Sequence, residues 1–368
     1  MTRLGDVCAI RYGKDHKKLS DGSIPAYGSG GIMRYVNTAI CEKPSVLIPR
    51  KGTLGNLFYA DKPFWTVDTL FWTDINQTKI IPKYLYYQLK QKDLASYNVG
   101  TAVPSLTVDV LSKIDLVVPP IDKQKRIVEV LNSFDTKIAL NNQLNDYLVE
   151  LLDALFAKAL EETSDWSEAT LLDIANYKNG LAMQKFRPEG NDPGLPVLKI
   201  KELGQGTCSA DSERCRSDID EAVHIYDGDL VFSWSGTLLL DFWAGGDAGL
   251  NQHLFKVTSE EYPTWFYYAW TKYHMRKFVA LAKDRATTMG HIKRSALAEA
   301  KVLIPPSKAF GKLDSQMQPI VDQMINLKVE ARKLGEFRDS LLPKLMSGEI
   351  DVSKIDLMQP ANNHLADC

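Results

Sequence analysis

The chain repeats itself once, and that duplication constrains its fold more than any single motif does. Leu4-Gly5-Asp6-Val7 recurs as Leu171-Leu172-Asp173-Ile174, and residues 45–53 (SVLIPRKGT) recur as 229–237 (DLVFSWSGT), each a short β-prone run closed by Gly-Thr. Ile81-Pro82-Lys83-Tyr84-Leu85-Tyr86-Tyr87 matches Tyr262-Pro263-Thr264-Trp265-Phe266-Tyr267-Tyr268, with proline where the first turn of a helix accepts it. Residues 114–120 (IDLVVPP) match 300–306 (AKVLIPP), so the offset drifts only between 167 and 186 residues. One domain and its exit are copied once. At roughly 150 residues per domain, a chain of 368 residues has length for two such domains, each with its own core.

Both copies end at a Pro-Pro pair, after which the apolar period changes from strand-like to helical. After Pro120 a seam runs through Ile127, Leu131, Phe134, Ile138, Asn141, Asn145, Leu148, Leu152 and Leu155. After Pro306 it runs through Ile320, Met324, Leu327, Ala331, Leu334, Arg338, Leu341 and Leu345, with Pro319 just before it and Pro343 near its end. The spacing predicts two helices of about 35 residues, each about 50 Å long. That is too long for one small core, so the pair is expected to associate as an antiparallel coiled coil. Each buried seam leucine contributes roughly 1.5–3 kcal/mol, and Leu148→Ala is expected to cost roughly 2–5 kcal/mol. Asn141 and Asn145 would be costly in an apolar seam and are expected to specify register.

Between these helices, short β-prone runs (46–48, 70–73 and 114–118; 197–200, 230–233, 254–257 and 302–304) and glycine turns at 27–31 and 244–249 predict an α+β globule in each copy. The expected organisation is a first globule at 1–120, a helix at 121–162, a second globule at 163–305, a helix at 306–350 and a fraying polar tail at 351–368.

Charge narrows the class. The net value is −2, but residues 1–120 carry fifteen basic side chains against ten acidic ones, and 272–301 carry eight against two. Local basic faces are therefore available for an anionic partner. Five cysteines without a CxxC pair argue against a disulfide framework and a structural zinc site, and fit a reducing cytoplasm. No apolar run approaches the roughly 20 residues of a membrane span, and the first residues lack a signal peptide's apolar region, so a soluble intracellular protein is expected.

Three segments carry a family likeness. Gly100-Thr101-Ala102-Val103-Pro104-Ser105-Leu106 leads to Val117-Val118-Pro119-Pro120, and Lys123-Gln124-Lys125-Arg126-Ile127-Val128 precedes Leu131 and Phe134-Asp135. The third and most specific is Arg338-Asp339-Ser340-Leu341-Leu342-Pro343-Lys344-Leu345-Met346-Ser347-Gly348-Glu349-Ile350. In this order and with the duplication, the chain resembles the specificity subunits of type I restriction-modification systems over essentially its full length. The resemblance implies two target recognition domains, each reading one half of a split DNA site, with the helices as spacer and docking surface. It also implies that the chemistry sits elsewhere. Two methyltransferase (modification) subunits would hold S-adenosylmethionine and methylate adenine N6, and restriction (motor-nuclease) subunits would use ATP and Mg. The second copy departs from the pattern at Thr287-Thr288-Met289-Gly290-His291-Ile292, and its exit helix lacks the Lys-Gln-Lys-Arg run.

The residues themselves offer no active site. The proline pairs read Val118-Pro119-Pro120-Ile121 and Ile304-Pro305-Pro306-Ser307, without the Asn/Asp and aromatic that an amino-methyltransferase loop needs. Gly28-Ser29-Gly30-Gly31 is neither a dinucleotide fingerprint nor a phosphate-binding loop, and the six histidines form no HExxH. Base reading needs polar side chains on loops, with nearby cations for phosphate. In the first copy Lys14, Lys17 and Lys18 are the candidate phosphate contacts, and Tyr27, Ser29, Arg34, Arg50, Lys51 and Thr53 the candidate base readers. In the second the candidates are Lys185, Arg187, Lys199, Ser233, Ser235, Thr237, Gln252, His253, Arg285, Thr287, His291, Lys293 and Arg294. The aromatic runs 84–87 and 265–270 read as packed helix faces rather than base-stacking platforms. The competing reading is a non-catalytic paired-helix adaptor that binds proteins or glycans. Salt-dependent binding to a bipartite duplex separates the two. A rod of about 50 Å limits the gap between reading heads to about 15 base pairs.

Overall fold

The computed structural model describes residues 2–100, 103–161, 163, 165–284 and 291–355. The first copy contains β1 (Thr2–Arg3), α1 (Leu4–Val7), β2 (Cys8–Tyr12), β3 (Asp21–Gly28), β4 (Gly31–Val36), β5 (Ser45–Pro49), β6 (Phe58–Ala60), β7 (Trp65–Thr66), β8 (Leu70–Ile75), α2 (Pro82–Lys90), α3 (Val108–Ser112) and β9 (Asp115–Leu116), ahead of the long α4 (Ile121–Ala159). The second contains β10 (Ser167–Thr170), α5 (Leu171–Ile174), β11 (Asn176–Asn179), β12 (Leu195–Leu198), α6 (Ile200–Gln205), β13 (Arg214–Cys215), β14 (His224–Ile225), β15 (Leu230–Ser233), β16 (Leu240–Phe242), β17 (Ala248–Leu250), β18 (Leu254–Thr258), α7 (Thr264–Asp284), α8 (Arg294–Ala298) and β19 (Lys301–Ile304), ahead of the long α9 (Ser307–Ser347). The chain is α+β, and it forms two compact units. One takes the residues up to Thr136 and those from Glu336 onward, and the other is Lys137–Gly335.

The duplicated Leu-x-Asp motif has a local cause. In α1 the Arg3 N–H donates to Asp6 Oδ2 at 2.7 Å, and in α5 both the N–H and the hydroxyl of Thr170 donate to Asp173 Oδ2 at 2.7 Å. An acidic side chain at the third helical position satisfies donors that a helix start leaves open. The same turn is tied to the end of its own copy: Leu4 N–H reaches the Ile114 carbonyl at 2.9 Å, and Leu171 N–H the Ala300 carbonyl at 3.1 Å. Antiparallel pairing of β1 with β9 and of β10 with β19 closes each repeat where its long helix departs.

Topology repeats as well. Sheet order β2-β8-β5-β6 in the first unit returns as β11-β18-β15-β16 in the second, and β4-β3-β7 returns as β13-β12-β17 with β14 added. The sequence offset jumps from 167 at the opening motif to 184 at residue 45. About half of the inserted residues fall between β12 and β13, where α6 replaces the tight β3–β4 turn of the first unit. Two equivalent glycines permit a close backbone approach. A Cβ on Gly13 would lie 2.0 Å from the Val67 carbonyl oxygen, and one on Gly180 would lie 2.3 Å from that of Asn251.

The helices α4 and α9 have 39 and 41 residues, a little longer than their apolar seams imply and inside the expected bounds of 121–162 and 306–350. α9 runs through both Pro319 and Pro343, and its start at Ser307 agrees with the expected 306–350. Both prolines are exposed, where water can serve the carbonyl that loses its N–H partner. In the second unit the helices are antiparallel: Asn141 Nδ2 donates to Glu330 Oε2 at 2.7 Å, and Asn145 Nδ2 to the Met324 carbonyl at 2.8 Å. Leu152, Met324 and Leu327 are buried beside them, while Ile138, Leu148, Leu155, Ile320 and Leu334 are half-buried.

In the first unit Leu345 is buried, and Phe134 and Leu341 are half-buried. Met317, Val321, Leu342 and Met346 lie outside the expected seam yet are buried, because each helix packs on a globule as well as on its partner and so buries a wider stripe. The aromatic runs supply much of this packing, with Tyr84, Tyr87, Trp265 and Phe266 all at most 1% exposed. The expected tail begins later than Ile350, since Val352–Lys354 forms a turn with Val352 buried and Arg126 Nη2 donating to the Ile355 carbonyl. Residues 356–368 of that tail lie outside the described residues.

Two motif residues anchor the first unit to its helices. Gln124 is fully buried; its Oε1 accepts from Ile81 N–H at 2.8 Å at the start of α2, and its Nε2 donates to the Pro119 carbonyl at 2.8 Å. Asp135 accepts from Tyr87 Oη and Arg338 Nη1, each at 2.6 Å, with Lys83 Nζ at 3.3 Å. Burial alone would raise this carboxyl, but the Tyr87 and Arg338 hydrogen bonds and the Lys83 charge outweigh it and hold it below the ordinary carboxylate range. A depressed folded-state pKa stabilises above the unfolded value and loses that stability as pH falls. Asp135→Asn should therefore lower the melting temperature at neutral pH and flatten its fall below about pH 4, as followed by circular dichroism. In the second unit Leu152→Ala should cost roughly 2–5 kcal/mol in denaturant unfolding. Half-buried Leu148 should cost less than the sequence alone suggests.

Candidate nucleic-acid interface

Strand direction gathers the loops that carry most of the candidate side chains. β8 runs antiparallel to both β2 and β5, pairing Tyr12 with Phe71 and Pro49 with Leu70. The exit of β2, the exit of β5 and the entry to β8 therefore meet at the sheet end away from α1. Backbone bonds fix them there: Lys14 N–H to the Thr66 carbonyl at 2.8 Å, Arg50 N–H to that of Thr69 at 2.8 Å, and Leu106 N–H to that of Arg50 at 2.9 Å. The β3–β4 turn joins through Val67 N–H on the Tyr27 carbonyl at 3.0 Å and Asn56 Nδ2 on the Ser29 carbonyl at 3.1 Å. An open groove results, lined among others by Asp15, His16, Lys17, Ser29, Met33 and Asp68.

The second unit builds the same loop set from different side chains. Leu181 N–H reaches the Leu250 carbonyl at 2.9 Å, Trp234 N–H that of His253 at 3.4 Å, Ile292 N–H that of Trp234 at 2.9 Å and Asn251 N–H that of Leu198 at 3.1 Å. Isolated bridges Lys51–Ser105 and Ser235–His291 complete the correspondence. Position by position, Arg50 is replaced by Trp234, Lys51 by Ser235, Thr69 by His253 and Ser105 by His291. The Trp234 ring lies 5.9 Å from His253 and 6.0 Å from His291, and its Nε1 donates to Asn179 Oδ1 at 2.9 Å.

The model of the type I restriction modification DNA specificity domain matches residues 1–149 and 163–335. The chain belongs to this family. It is 24% identical to the specificity subunit of the type I restriction enzyme MjaIX of Methanocaldococcus jannaschii, over 86% of this chain and 80% of that protein. It is 22% identical to the MjaVIII specificity subunit of the same organism, over 97% of this chain and 94% of that protein. The crystal structure of a type I restriction-modification S subunit from M. genitalium shares the fold, with a TM-score of 0.54 at 18% identity, covering 94% of this chain and 95% of that one.

Within this specificity-family framework the candidate residues separate into three groups. Lys14, Lys17, Lys18, Lys51 and Thr53 are exposed on the loop set of the first unit, and Lys185, Thr237, His291 and Lys293 are exposed in the second. Tyr27, Ser29, Arg50, Gln252 and His253 are half-buried among the same loops, with Arg50 Nη1 on the Asp68 carbonyl at 3.1 Å. Burial, with Asp61 and Tyr35 nearby, pushes the Tyr27 hydroxyl up, so it stays a donor at neutral pH.

The second group is already engaged. Arg34 Nη2 bonds Asp21 at 2.6 Å and the Leu19 carbonyl at 3.1 Å, so it braces the hairpin. Arg187 and Lys199 both pair with Glu213, whose carboxyl the Lys199 hydrogen bond holds below the ordinary range. Exposed Arg294 reaches the Tyr177 carbonyl with Nη1 at 3.4 Å. Ser233 and Ser235 are at most 2% exposed, and Ser233 Oγ donates to the Thr237 carbonyl at 2.8 Å. Those two serines hold the turn rather than face a ligand. The third group, Arg285 and Thr287, lies outside the described residues.

Asp68, Thr69, Ser105, Trp234 and Asn179 join the loop set without being singled out by residue type. The signal was partly available, since aligning SVLIPRKGT with DLVFSWSGT puts Trp234 on Arg50. Among the described residues no three His, Cys, Asp or Glu side chains gather as metal ligands, and no helix is long and apolar enough to cross a membrane. A phosphate contact lowers the salt slope of binding by about one unit without changing sequence preference. Lys14→Ala and Lys17→Ala should behave that way in salt-titrated binding to duplex DNA, whereas Arg34→Ala should lower thermal stability instead.

Proposed function

We propose that this chain reads a bipartite, asymmetric DNA site, one half with the loop set of each unit, and carries no chemistry of its own. The observation that supports this reading is the paired loop set. Identical backbone bonds hold different side chains at equivalent positions, so one scaffold would present two different hydrogen-bonding surfaces to two tracts of duplex. The half-sites should therefore differ in sequence. The helices α4 and α9 would set the number of unread base pairs between them. Within these roles the expected divisions at 1–120, 121–162, 163–305 and 306–350 serve as reading head, spacer, reading head and spacer.

Partner subunits need a surface that reading DNA does not use. On α4, Leu140, Leu144, Tyr147 and Leu151 are 56%, 40%, 56% and 46% exposed and follow each other at helical spacing, away from Asn141, Asn145 and Leu152. An exposed apolar stripe of this kind is costly unless covered. We assign it to docking of the methyltransferase subunits, which would hold S-adenosylmethionine and modify adenine N6. Restriction subunits would join that assembly and supply ATP-driven cleavage. Transfer of adenine methylation to one bipartite sequence by the assembled complex would support the reading. Salt-insensitive binding, or no DNA affinity, would favour an adaptor for proteins or glycans.

Two outcomes are expected. Exchanging the loop-bearing domains with those of a related subunit should create a new combination of half-sites, while inserting seven residues into both α4 and α9 should change only the spacer, as read by sequencing methylated DNA. Leu144→Glu and Leu151→Glu should abolish co-purification of the methyltransferase subunits and leave the melting temperature within about 1 °C, because surface substitutions stay within about 0.5 kcal/mol.

A further inference from the structure

The loop set of the first unit contains an apolar feature that phosphate or hydrogen-bond reading does not explain. Strand β4 is the edge of its three-stranded sheet, and Ile32 and Met33 on it are 50% and 58% exposed. Exposed apolar side chains on an edge strand invite aggregation and are normally avoided. The register against β3 shifts between Ala26 and Tyr27, which pair with Arg34 and Ile32, so Met33 is the extra residue of a bulge. Bulges re-aim a side chain. Met33 leans over Gly28, where a Cβ would meet its sulfur at 2.5 Å, and it lines the groove that also holds Lys17, Ser29 and Asp68. Exposed Lys14, Lys18 and Lys51 on the adjoining loops supply charge that matches a phosphate backbone.

The second unit provides the contrast. There Val197 N–H bonds the Glu213 carbonyl at 2.7 Å, and Pro196 pairs with Arg214, so the stretch Asp211-Ser212 occupies the place of Ile32-Met33. It is polar. The apolar tip therefore belongs to one reading head and not to the shared scaffold.

We infer that the β3–β4 hairpin of the first unit enters the major groove and that Met33, with Ile32 beside it, contacts a thymine methyl group in the half-site read by that unit. The inference rests on the DNA-reading function proposed above and names one base feature within it. A two-stranded ribbon fits the major groove, and the thymine C5 methyl is the apolar feature displayed there. The asymmetry of the two units makes this contact a source of difference between the half-sites.

The test uses the full chain assembled with its methyltransferase subunits and duplexes carrying the methylated site, with each thymine replaced in turn by uracil, which lacks only the methyl. At least one replacement in the half assigned to the first unit by domain exchange should weaken binding roughly fourfold, the value of one buried methyl-sized group. Met33→Ser should bind the thymine and uracil duplexes equally at that position, with an unchanged melting temperature; Ile32→Ser provides a second variant on the same tip. A thymine-to-uracil ratio near one throughout that half, or a ratio that survives both substitutions, overturns the contact while leaving bipartite reading intact. Loss of the methyltransferase subunits from either variant overturns it as well, by making β4 an edge for protein docking. No site-specific binding by the unaltered complex would instead remove the DNA reading and this contact together.

Discussion

Closure of each repeat on itself is the constraint from which the rest of the structure follows. The opening turn, capped by Asp6 or Asp173, bonds the residue that leads into the closing strand of the same repeat, through Leu4 to Ile114 and Leu171 to Ala300. Entry and exit of the chain are thereby fixed together. Everything between them is free to diverge as long as the sheet order holds, and the far ends of β2, β5 and β8 become one variable edge. The second unit has used that freedom to add α6 and β14 without disturbing the shared ladder.

The helices solve a different problem. A seam of leucines alone would tolerate a shift of register. The amide of Asn145 on the Met324 carbonyl and that of Asn141 on Glu330 make such a shift expensive, because it would strand buried polar groups. In the first unit Asp135 performs a related task, joining Tyr87 of the globule to Arg338 of α9. These bonds explain why polar residues interrupt an otherwise apolar pattern, and why the Phe-Asp and Arg-Asp pairs stand out as motifs.

The shared scaffold also separates stability from specificity. Side chains that carry backbone closure, such as Ser233, Gln124 and Arg34, are engaged within the fold. Those exposed at the loop ends, such as Lys17, Lys51 and His291, add little to it and are free to change without cost to the fold. Residue type alone does not distinguish these groups. Arg34 and Lys51 look equivalent in the sequence, yet one braces a hairpin through Asp21 and the other is exposed.

The sequence by itself determined the duplication, the α+β character of both copies, the two long helices and the family, because repeats, helical periodicity and Pro-Pro boundaries are local or directly alignable signals. It also determined which residues would sit badly in the seam, since an Asn among leucines is visible without a structure. Only the tertiary structure decided which candidate cations are committed to ion pairs, as Arg187 and Lys199 are to Glu213, and which serines are buried in turns. It alone aligned Thr69 with His253 and exposed the bulge at Met33. The reason is physical: hydrogen-bond partners and strand register come from segments tens of residues apart, and neither leaves a period in the sequence that could be read in advance.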